Sequence, residues 1–270
     1  MKKYSPYEFF YEKAHAKINI FLKIVGKTEV GGVGYHLINS RFLRVESLFD
    51  ELILEGGSDE FCVIGACNIE EKQNTIYKAY LALLPHISKK HKDLLNKSKV
   101  KVIKRIPLGA GLGGGSSDAA AFLRLVNKAF ELGLSKEVLM QIGAEVGSDV
   151  PFFISELSVA NVSGRGEIVE SCEEGGFGVR ILNPSLHCST KEVFSKFAKD
   201  FYTPQKAEQN LKENWLQKSN DEVLKNSPFV NNDLLEPLLA LYPELESYAK
   251  EAFLSGSGSC FWQVESCKEK

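Results

Sequence analysis

The sequence predicts a protein of the α/β class, of α+β type, and three observations carry this prediction. Apolar and polar residues alternate over 14–24, which is the pattern of a β-strand. Apolar residues recur every three to four positions over 118–132, which is the pattern of an amphipathic helix. The chain has 270 residues, enough for one large domain or two of medium size. We therefore expect strands and helices in two domains, with a boundary near 155–160.

The strand over 14–24 carries its polar residues on one face. Its even-numbered positions are all apolar, so we expect a half-buried strand whose outer face presents Lys17 and Asn19 side by side. A half-exposed strand is expected over 100–106 and a short one at the end of the chain. Further strands are expected near 41–54, 61–65, 158–170 and 177–183.

The helix over 118–132 has the clearest periodicity, and Gly133 stands where a helix commonly ends. Further helices are expected over 74–84 and 136–146, and in polar segments between 191 and 251.

Charge and composition exclude several classes of protein. The chain has 33 Lys and Arg residues and 35 Asp and Glu residues, so its net charge is close to zero. It therefore lacks the positive field that binding to nucleic acid or an anionic membrane requires. No apolar run reaches the roughly 18–20 residues of a membrane-spanning helix, and none follows the basic start as in a signal peptide. The lysine-rich segment 89–105 contains no aromatic residue, so we interpret it as a solvated face rather than an RNA site.

The cysteines show no C-x-x-C spacing, and a chain of this length does not need disulfides to fold. We expect reduced thiols in a cytoplasmic protein at all six positions: Cys62, Cys67, Cys172, Cys188, Cys260 and Cys267.

A glycine-rich loop precedes the helix over 118–132. Five of the seven residues from Gly109 to Gly115 are glycine, so the backbone can turn sharply and approach a ligand with no Cβ in the way. The loop joins a predicted strand to a predicted helix, whose free N–H groups and positive dipole end bind anions. We therefore expect a phosphate-binding loop.

Three common phosphate loops do not fit this context. Gly109, Gly111 and Gly114 match the dinucleotide pattern, but the preceding strand is basic and no acidic residue ends a strand about 20 positions later. The lysine of a Walker A motif is absent. A protein-kinase loop leads into a strand, whereas this loop leads into a helix.

The string from Pro107 to Ser117 instead resembles the loop of the GHMP kinase superfamily, which phosphorylates small molecules. Ala16-Lys17-Ile18-Asn19, Gly147-Ser148-Asp149-Val150-Pro151 and the Gly/Ser loop over 254–261 resemble three further GHMP signatures. The resemblance implies a two-lobed fold with the active site in the cleft between the lobes. An N-terminal lobe, 1–157, would bind ATP and its phosphates, and a C-terminal lobe, 158–270, would bind the substrate.

Tyr35 and His36 extend the resemblance to one family, the 4-diphosphocytidyl-2-C-methyl-D-erythritol kinases. In that family the Tyr-His pair lies at the cytosine of the substrate, and an aromatic side chain, for which Phe194 is the counterpart, stacks on its other face. The family usually has an aspartate before Gly-Tyr-His, whereas this chain has Val33.

The resemblance implies that this is an ATP- and Mg²⁺-dependent kinase. It would phosphorylate the 2-hydroxyl of 4-diphosphocytidyl-2-C-methyl-D-erythritol in non-mevalonate isoprenoid biosynthesis. Asp149 would be the general base, and Lys17 would stabilise the charge that develops on the substrate oxygen. Lys101 and Lys104 are further candidates to reach the ATP phosphates.

The same resemblance assigns the remaining site residues. The substrate would contact Asn19, Tyr35, His36 and Phe194. ATP would contact Asn74 and the loop residues Pro107, Leu108, Gly109, Ala110, Gly111, Leu112, Gly113, Gly114, Gly115, Ser116 and Ser117. Gly256, Ser257 and Gly258 would lie near the phosphates.

Two alternatives stay open. The chain is another GHMP kinase, of homoserine or mevalonate type, or it is a nucleotide-binding regulator without catalysis. In each case the ligands are small molecules, and the protein is a monomer or a homodimer.

Overall fold

The computed structural model describes residues 10–65 and 73–265, apart from the side chain of Val33. The expected thiols of Cys67 and Cys267 lie outside these residues. Cys62, Cys172, Cys188 and Cys260 are free thiols, as expected. In the described ranges, no helix combines the length and the apolar character that crossing a membrane requires.

The chain divides into two compact units, each assembled from three segments. The first unit consists of the described parts of 1–16, 46–106 and 114–156, and the second of 17–45, 107–113 and 157–265. Two long paired strands, β1 (Phe10–Val30) and β2 (Val33–Gly56), contribute residues to both units.

In the first unit, β2 pairs antiparallel with β4 (Ser98–Ile103), from Glu51 opposite Ile103 to Gly56 opposite Ser98. The short strand β3 (Cys62–Ile64) pairs parallel with β4. Five helices complete the described part of this unit: α1 (Thr75–Leu83), α2 (Lys89–Asn96), α3 (Gly114–Ala129), α4 (Lys136–Val146) and α5 (Val150–Ser155).

Local side chains explain where these helices begin. Ser88 and Ser135 cap α2 and α4, because each hydroxyl accepts a hydrogen bond from the first turn of its helix. The apolar face predicted for α3 is buried, with Phe122, Leu125 and Val126 at most 1% exposed. The lysine-rich helix α2 was not predicted, because its few apolar residues give little periodicity.

The predicted bounds of α3 were wrong at both ends. The helix begins at Gly114 rather than 118 and ends at Ala129 rather than 132, so Gly133 lies beyond it. Glycine and serine favour a helix weakly, which hides the first turn from a propensity argument. The glycine loop therefore ends inside the helix, and Gly114–Ser117 form its first turn.

In the second unit, β2 pairs antiparallel with β5 (Val159–Gly164), from Ile38 opposite Gly164 to Leu43 opposite Val159. The hairpin strand β6 (Ile168–Ser171) follows. A separate antiparallel sheet has the order β7 (Val179–Leu182), β9 (Phe261–Val264) and β8 (Phe253–Leu254).

Short helices pack around an apolar core in this unit, and Val193, Leu238 and Phe261 are fully buried in it. The helices are α6 (Thr190–Lys196), which continues as a π-helical turn at Phe197–Phe201, α7 (Pro204–Lys212), α8 (Asn220–Leu224), α9 (Pro228–Asn231), α10 (Leu235–Leu241) and α11 (Glu246–Ala249). The mixed helix and strand class predicted from the sequence is confirmed.

Candidate active site

The polar face of β1 is buried rather than exposed, which corrects the prediction of a half-buried strand. Lys17 and Asn19 are only 3% and 2% exposed. Lys17 Nζ donates a 2.7 Å hydrogen bond to Asn19 Oδ1, and Asn19 Nδ2 donates to Ser40 Oγ at 2.9 Å. Lys17 Nζ also lies 4.5 Å from the centroid of the Phe42 ring. The ammonium is therefore held in one place, away from bulk water.

The first part of the phosphate loop is attached to this strand. The backbone N–H of Lys17 donates to the Leu112 carbonyl at 3.0 Å. On the other side of the loop, the Cys260 N–H donates to the Ala110 carbonyl at 3.1 Å, and Ser255 Oγ donates to the Gly111 carbonyl at 3.0 Å. Three predicted motifs, from distant parts of the sequence, are thus brought together in the second unit.

Steric crowding gives two loop glycines a role that the sequence did not indicate. Gly109 and Gly111 have φ of +63° and +74°, a region that favours glycine. A Cβ on Gly111 would lie 2.1 Å from the Ser255 carbonyl oxygen, and one on Gly109 would lie 2.2 Å from His187 Nδ1. These glycines therefore allow the loop to pack against neighbouring protein segments as well as to approach a ligand.

The predicted C-terminal glycine loop is fixed by residues that the sequence analysis missed. Asn232 Nδ2 donates to the Gly256 carbonyl at 2.9 Å, and the Thr190 and Ser257 hydroxyls lie 2.8 Å apart. A Cβ on Gly256 would lie 3.1 Å from the Gly111 carbonyl oxygen. Asn232 and Thr190 belong to no motif recognised in the sequence, so only the fold identifies them.

In the first unit, the start of α3 is joined to the start of α1. Thr75 Oγ1 donates to the Gly115 carbonyl at 2.7 Å. Asn74 caps α1, because its Oδ1 accepts from the Ile76 N–H at 2.8 Å. The predicted contact of Asn74 with ATP stays a prediction, and the capping bond gives this residue a structural role as well.

The turn that carries Asp149 lies beside the first turn of α3. A Cβ built on Gly147 would lie 3.7 Å from Ser116 Oγ. Asp149 is partly buried at the N-cap position of α5, and its carboxylate does not cap that helix. The role of Asp149 as a base stays a prediction.

Lys104 does not lie on the solvated face expected for 89–105, and its contact with the ATP phosphates stays a prediction. Its Nζ lies 2.5 Å from Asp50 Oδ2 and 2.7 Å from Asp118 Oδ2, and both carboxylates are buried. Lys104 is thus held by two acidic side chains, whereas Lys101 is exposed on β4.

Aromatic residues surround His36 in the second unit. The His36 ring lies 5.5 Å from the rings of Phe194 and Phe197 and 6.0 Å from that of Tyr202. Burial, reinforced by the positive charge of Lys27, lowers the pKa of His36. Its Nε2 is buried and has no hydrogen-bond partner among the described residues. A neutral imidazole with an unsatisfied nitrogen is suited to bind a polar ligand group.

Tyr35 does not join this cluster. Neighbouring residues of a strand point to opposite faces, and the Tyr35 ring is 39% exposed with the Arg165 guanidinium 5.3 Å from its centroid. The structure therefore brings together His36 and Phe194, while a shared role of Tyr35 and Phe194 stays a prediction.

Comparison with known proteins agrees with these motifs. Residues 74–156 match the family described as GHMP kinases N terminal domain. The 4-diphosphocytidyl-2-C-methyl-D-erythritol kinase of Sulfurimonas denitrificans is 44% identical over 262 residues, which cover 94% of this chain and 96% of the relative. The chain belongs to the 4-diphosphocytidyl-2-C-methyl-D-erythritol kinase family. Members of this family from Campylobacter jejuni and Sulfurovum are each 41% identical and cover at least 93% of this chain.

Solved structures that are similar to this chain include a member of the same kinase family. A crystal structure of 4-(cytidine 5'-diphospho)-2C-methyl-D-erythritol kinase is 25% identical, with a TM-score of 0.69 over 94% of this chain and 89% of that one. The mevalonate kinase of Methanococcus jannaschii has a TM-score of 0.65 over 96% of this chain and 92% of that one, at only 13% identity. The second likeness shows that this chain has the fold of a mevalonate kinase.

Proposed function

We propose that this protein transfers the γ-phosphoryl group of ATP to the 2-hydroxyl of 4-diphosphocytidyl-2-C-methyl-D-erythritol, a step of non-mevalonate isoprenoid biosynthesis. The observation that carries the proposal is the attachment of the phosphate loop to the strand that holds Lys17, through the bond from Lys17 N–H to the Leu112 carbonyl. This bond joins the backbone of Lys17, whose ammonium is buried, to the loop that would bind the phosphates. The names of the relatives supply the substrate.

In the proposed mechanism, Asp149 accepts the proton of the 2-hydroxyl as its oxygen attacks the γ-phosphorus. The bond from the γ-phosphorus to the bridging oxygen breaks, and ADP leaves with that electron pair. Lys17 stabilises the negative charge that forms on the attacking oxygen. Little covalent help is needed for phosphoryl transfer, so the protein would act mainly by positioning and by charge.

The phosphates of ATP would bind to the phosphate loop, over 107–117. The backbone N–H groups of Gly114–Ser117 stand at the positive end of the 16-residue helix α3, which suits a polyanion. Gly256–Gly258 would lie near the same phosphates. Asn74 would contact the nucleotide at the start of α1.

Mg²⁺, bound together with ATP, would neutralise part of the charge of the phosphates. No three acidic, histidine or cysteine side chains in 10–65 and 73–265 converge as a metal centre. We therefore assign no metal ligand in the protein, and no step above depends on one.

The cytosine of the substrate would lie at Tyr35 and His36, with Phe194 stacked on its other face, and Asn19 would also contact the substrate. The support is the buried Nε2 of His36, which has no hydrogen-bond partner in the described part of the chain. A cytosine ring offers both polar edge atoms and a face for aromatic stacking.

One assay tests the proposed function against both alternatives. The purified protein is mixed with ATP and, separately, with 4-diphosphocytidyl-2-C-methyl-D-erythritol, homoserine or mevalonate, and ADP formation is followed. We expect turnover with the cytidine-bearing substrate alone. Turnover with homoserine or mevalonate instead would assign a different GHMP kinase activity. ATP binding without turnover on any substrate would favour the regulator.

The lobes, the oligomeric state and the location of the protein in the cell belong to the same proposal. The lobes 1–157 and 158–270, with the active site in a cleft between them, stay a prediction, as does the state of monomer or homodimer. We also propose that the protein works in the cytoplasm on small molecules and binds neither nucleic acid nor membranes.

A further inference from the structure

Two buried carboxylates and a partly buried lysine form a triad in the first unit that the proposed mechanism does not use. It consists of Asp50, Lys104 and Asp118. Lys104 Nζ lies between the two carboxylates, 2.5 Å from Asp50 Oδ2 and 2.7 Å from Asp118 Oδ2. Asp50 is fully buried and Asp118 is 4% exposed. Two acidic groups thus share one cation with little access to water.

The triad lies at both ends of the phosphate loop. Before the loop, Asp50 Oδ1 accepts the backbone N–H groups of Arg105 and Ile106, at 2.5 and 2.8 Å. After the loop, Asp118 belongs to the second turn of α3. Lys104, which precedes the loop, therefore joins this segment to helix α3, which follows the loop, through its ion pair with Asp118.

The two loop ends are also in close contact. A Cβ on Gly114 would lie 2.9 Å from Ile106 Cγ2 and 3.5 Å from Lys104 Nζ. Because Gly114 begins α3, the Lys104 ammonium lies next to the first turn of that helix. The proposed phosphate-binding N–H groups belong to this turn.

The two carboxylates are not equally suited to carry charge. Asp50 accepts three hydrogen bonds, whereas Asp118 Oδ1 is buried without a partner among the described residues. An unsatisfied, buried carboxylate oxygen is costly when it is charged. Burial, together with the charge of Asp50, raises the pKa of Asp118 to about 7, although Lys104 opposes the rise. Lys104 and Asp50 are the charged groups that act on Asp118 in the described structure.

We propose that Lys104 is a positioning residue that fixes the first turn of α3 through Asp50 and Asp118, and that Asp118 takes up a proton when the phosphate loop binds a nucleotide. The inference rests on the proposed function, since it needs ATP at this loop. A bound polyanion adds negative charge close to the triad, which favours the neutral acid at Asp118. The triad would then carry one negative and one positive charge.

The linkage has a definite sign. Below about pH 7, Asp118 already carries its proton, so nucleotide binding needs no uptake. Above that pH the free protein must take up a proton to bind, so nucleotide affinity should fall as the pH rises. The Asn side chain imitates the protonated acid, so Asp118→Asn should remove this part of the pH dependence.

Calorimetry of ADP binding at pH 8, in two buffers of different ionisation enthalpy, tests the proton uptake. We expect the wild-type protein to take up roughly half a proton more than Asp118→Asn. We also expect ADP to bind the variant several-fold more tightly at pH 8 and about equally at pH 6. Equal proton uptake by the two proteins would overturn the assignment to Asp118. Failure of the wild-type protein to bind ADP would instead refute the proposed function.

The role of Lys104 needs a separate variant. Lys104→Met alone leaves two buried acids without a cation and is expected to unfold, so the double variant Lys104→Met/Asp118→Asn is used. We expect it to fold and to bind ADP at least tenfold more weakly than Asp118→Asn at every pH. Lys99→Met is the control. It removes a half-exposed lysine of β4 that pairs with Glu55 of β2, and it should leave ADP binding unchanged. Equal ADP affinity in the double variant and Asp118→Asn would show that Lys104 does not position the loop.

Discussion

Lys17 and Asn19 are joined by a 2.7 Å hydrogen bond along one face of β1, and both side chains are buried. The same face continues to Lys23, whose Nζ lies 2.6 Å from Asp233 Oδ1. One strand face therefore carries two buried lysines, of which Lys17 donates to an amide oxygen and Lys23 to a carboxylate.

Replacement of Lys17 by Met should lower kcat by about 10²–10³-fold, because the charge on the attacking oxygen would lose its stabilising ammonium. The free energy of unfolding should fall by about 1.5–3 kcal/mol, since Asn19 loses a buried hydrogen bond from a charged group. Steady-state kinetics and urea unfolding of the same preparation check both values.

Lys23→Met is the matched control, since it removes a buried lysine from the same face. It removes the 2.6 Å ion pair of the buried Asp233, which keeps a longer 3.8 Å contact with Lys206. The cost should therefore stay at or below the roughly 3–5 kcal/mol of a buried charge left without its partner. The fraction that remains folded should keep its kcat. A larger loss of kcat in Lys23→Met than in Lys17→Met would contradict the proposed role of Lys17.

Asp149→Asn should abolish most turnover, with a loss of about 10²–10⁴ in kcat, because an amide cannot accept the substrate proton. ADP affinity by calorimetry should stay near the wild-type value. Glu145→Gln removes an exposed acid from the preceding helix and should leave kcat unchanged. A kcat within about tenfold of wild type in Asp149→Asn would remove Asp149 from the role of base.

Gly111→Ala and Gly133→Ala separate backbone strain from steric contact. Both glycines have similar positive φ, +74° and +70°, so backbone strain should cost each variant about 1–2 kcal/mol of stability, and steric contact should add to this cost in Gly111→Ala. Only the Cβ at 111 meets another atom, the Ser255 carbonyl oxygen at 2.1 Å, whereas that at 133 meets nothing within 4 Å. The KM for ATP should therefore rise in Gly111→Ala alone. A similar KM in both variants would show that the packing of the loop is not needed to bind ATP.

Tyr35→Ala and Phe194→Ala should each raise the KM for the cytidine-bearing substrate about 10–100-fold, because each removes an aromatic surface for the base. The KM for ATP should change far less. Phe229→Ala removes a half-exposed phenylalanine from α9 and should change neither constant. Equal effects on the two KM values in Tyr35→Ala or Phe194→Ala would argue against a contact of that residue with cytosine.

Asp118 should also control how stability depends on pH. Its pKa is raised in the folded protein, so the folded state holds more protons than the unfolded state between about pH 4 and pH 7. This term makes the free energy of unfolding decrease as the pH rises through that interval. Between pH 5 and pH 8, the free energy of unfolding should decrease less in Asp118→Asn than in the wild-type protein, by on the order of 1–3 kcal/mol. Parallel unfolding curves against pH for both proteins would exclude a raised pKa at Asp118.

Much of the local structure could be predicted from the sequence. The helix at Lys136–Val146 agrees with its prediction, because Ser135 and Gly147 flank a regular apolar pattern. The motif strings identified the kinase superfamily before any fold was known. They are short and continuous, so one sequence displays them fully.

Burial and long-range partners were decided by the tertiary structure alone. Alternation shows that Lys17 and Asn19 share a face of β1 but does not show whether other segments cover that face. The first turn of α3 escaped prediction because the packing of Gly114 and Gly115 outweighs their weak helix propensity.

The sequence by itself determined the fold class, the loop and the family. It did not determine that Lys104 is held between Asp50 and Asp118, which lie 54 and 14 positions away. Periodicity and motifs describe neighbours along the chain, whereas an ion pair depends on which distant segments the fold brings together. For this reason only the tertiary structure shows how charge is distributed around the phosphate loop.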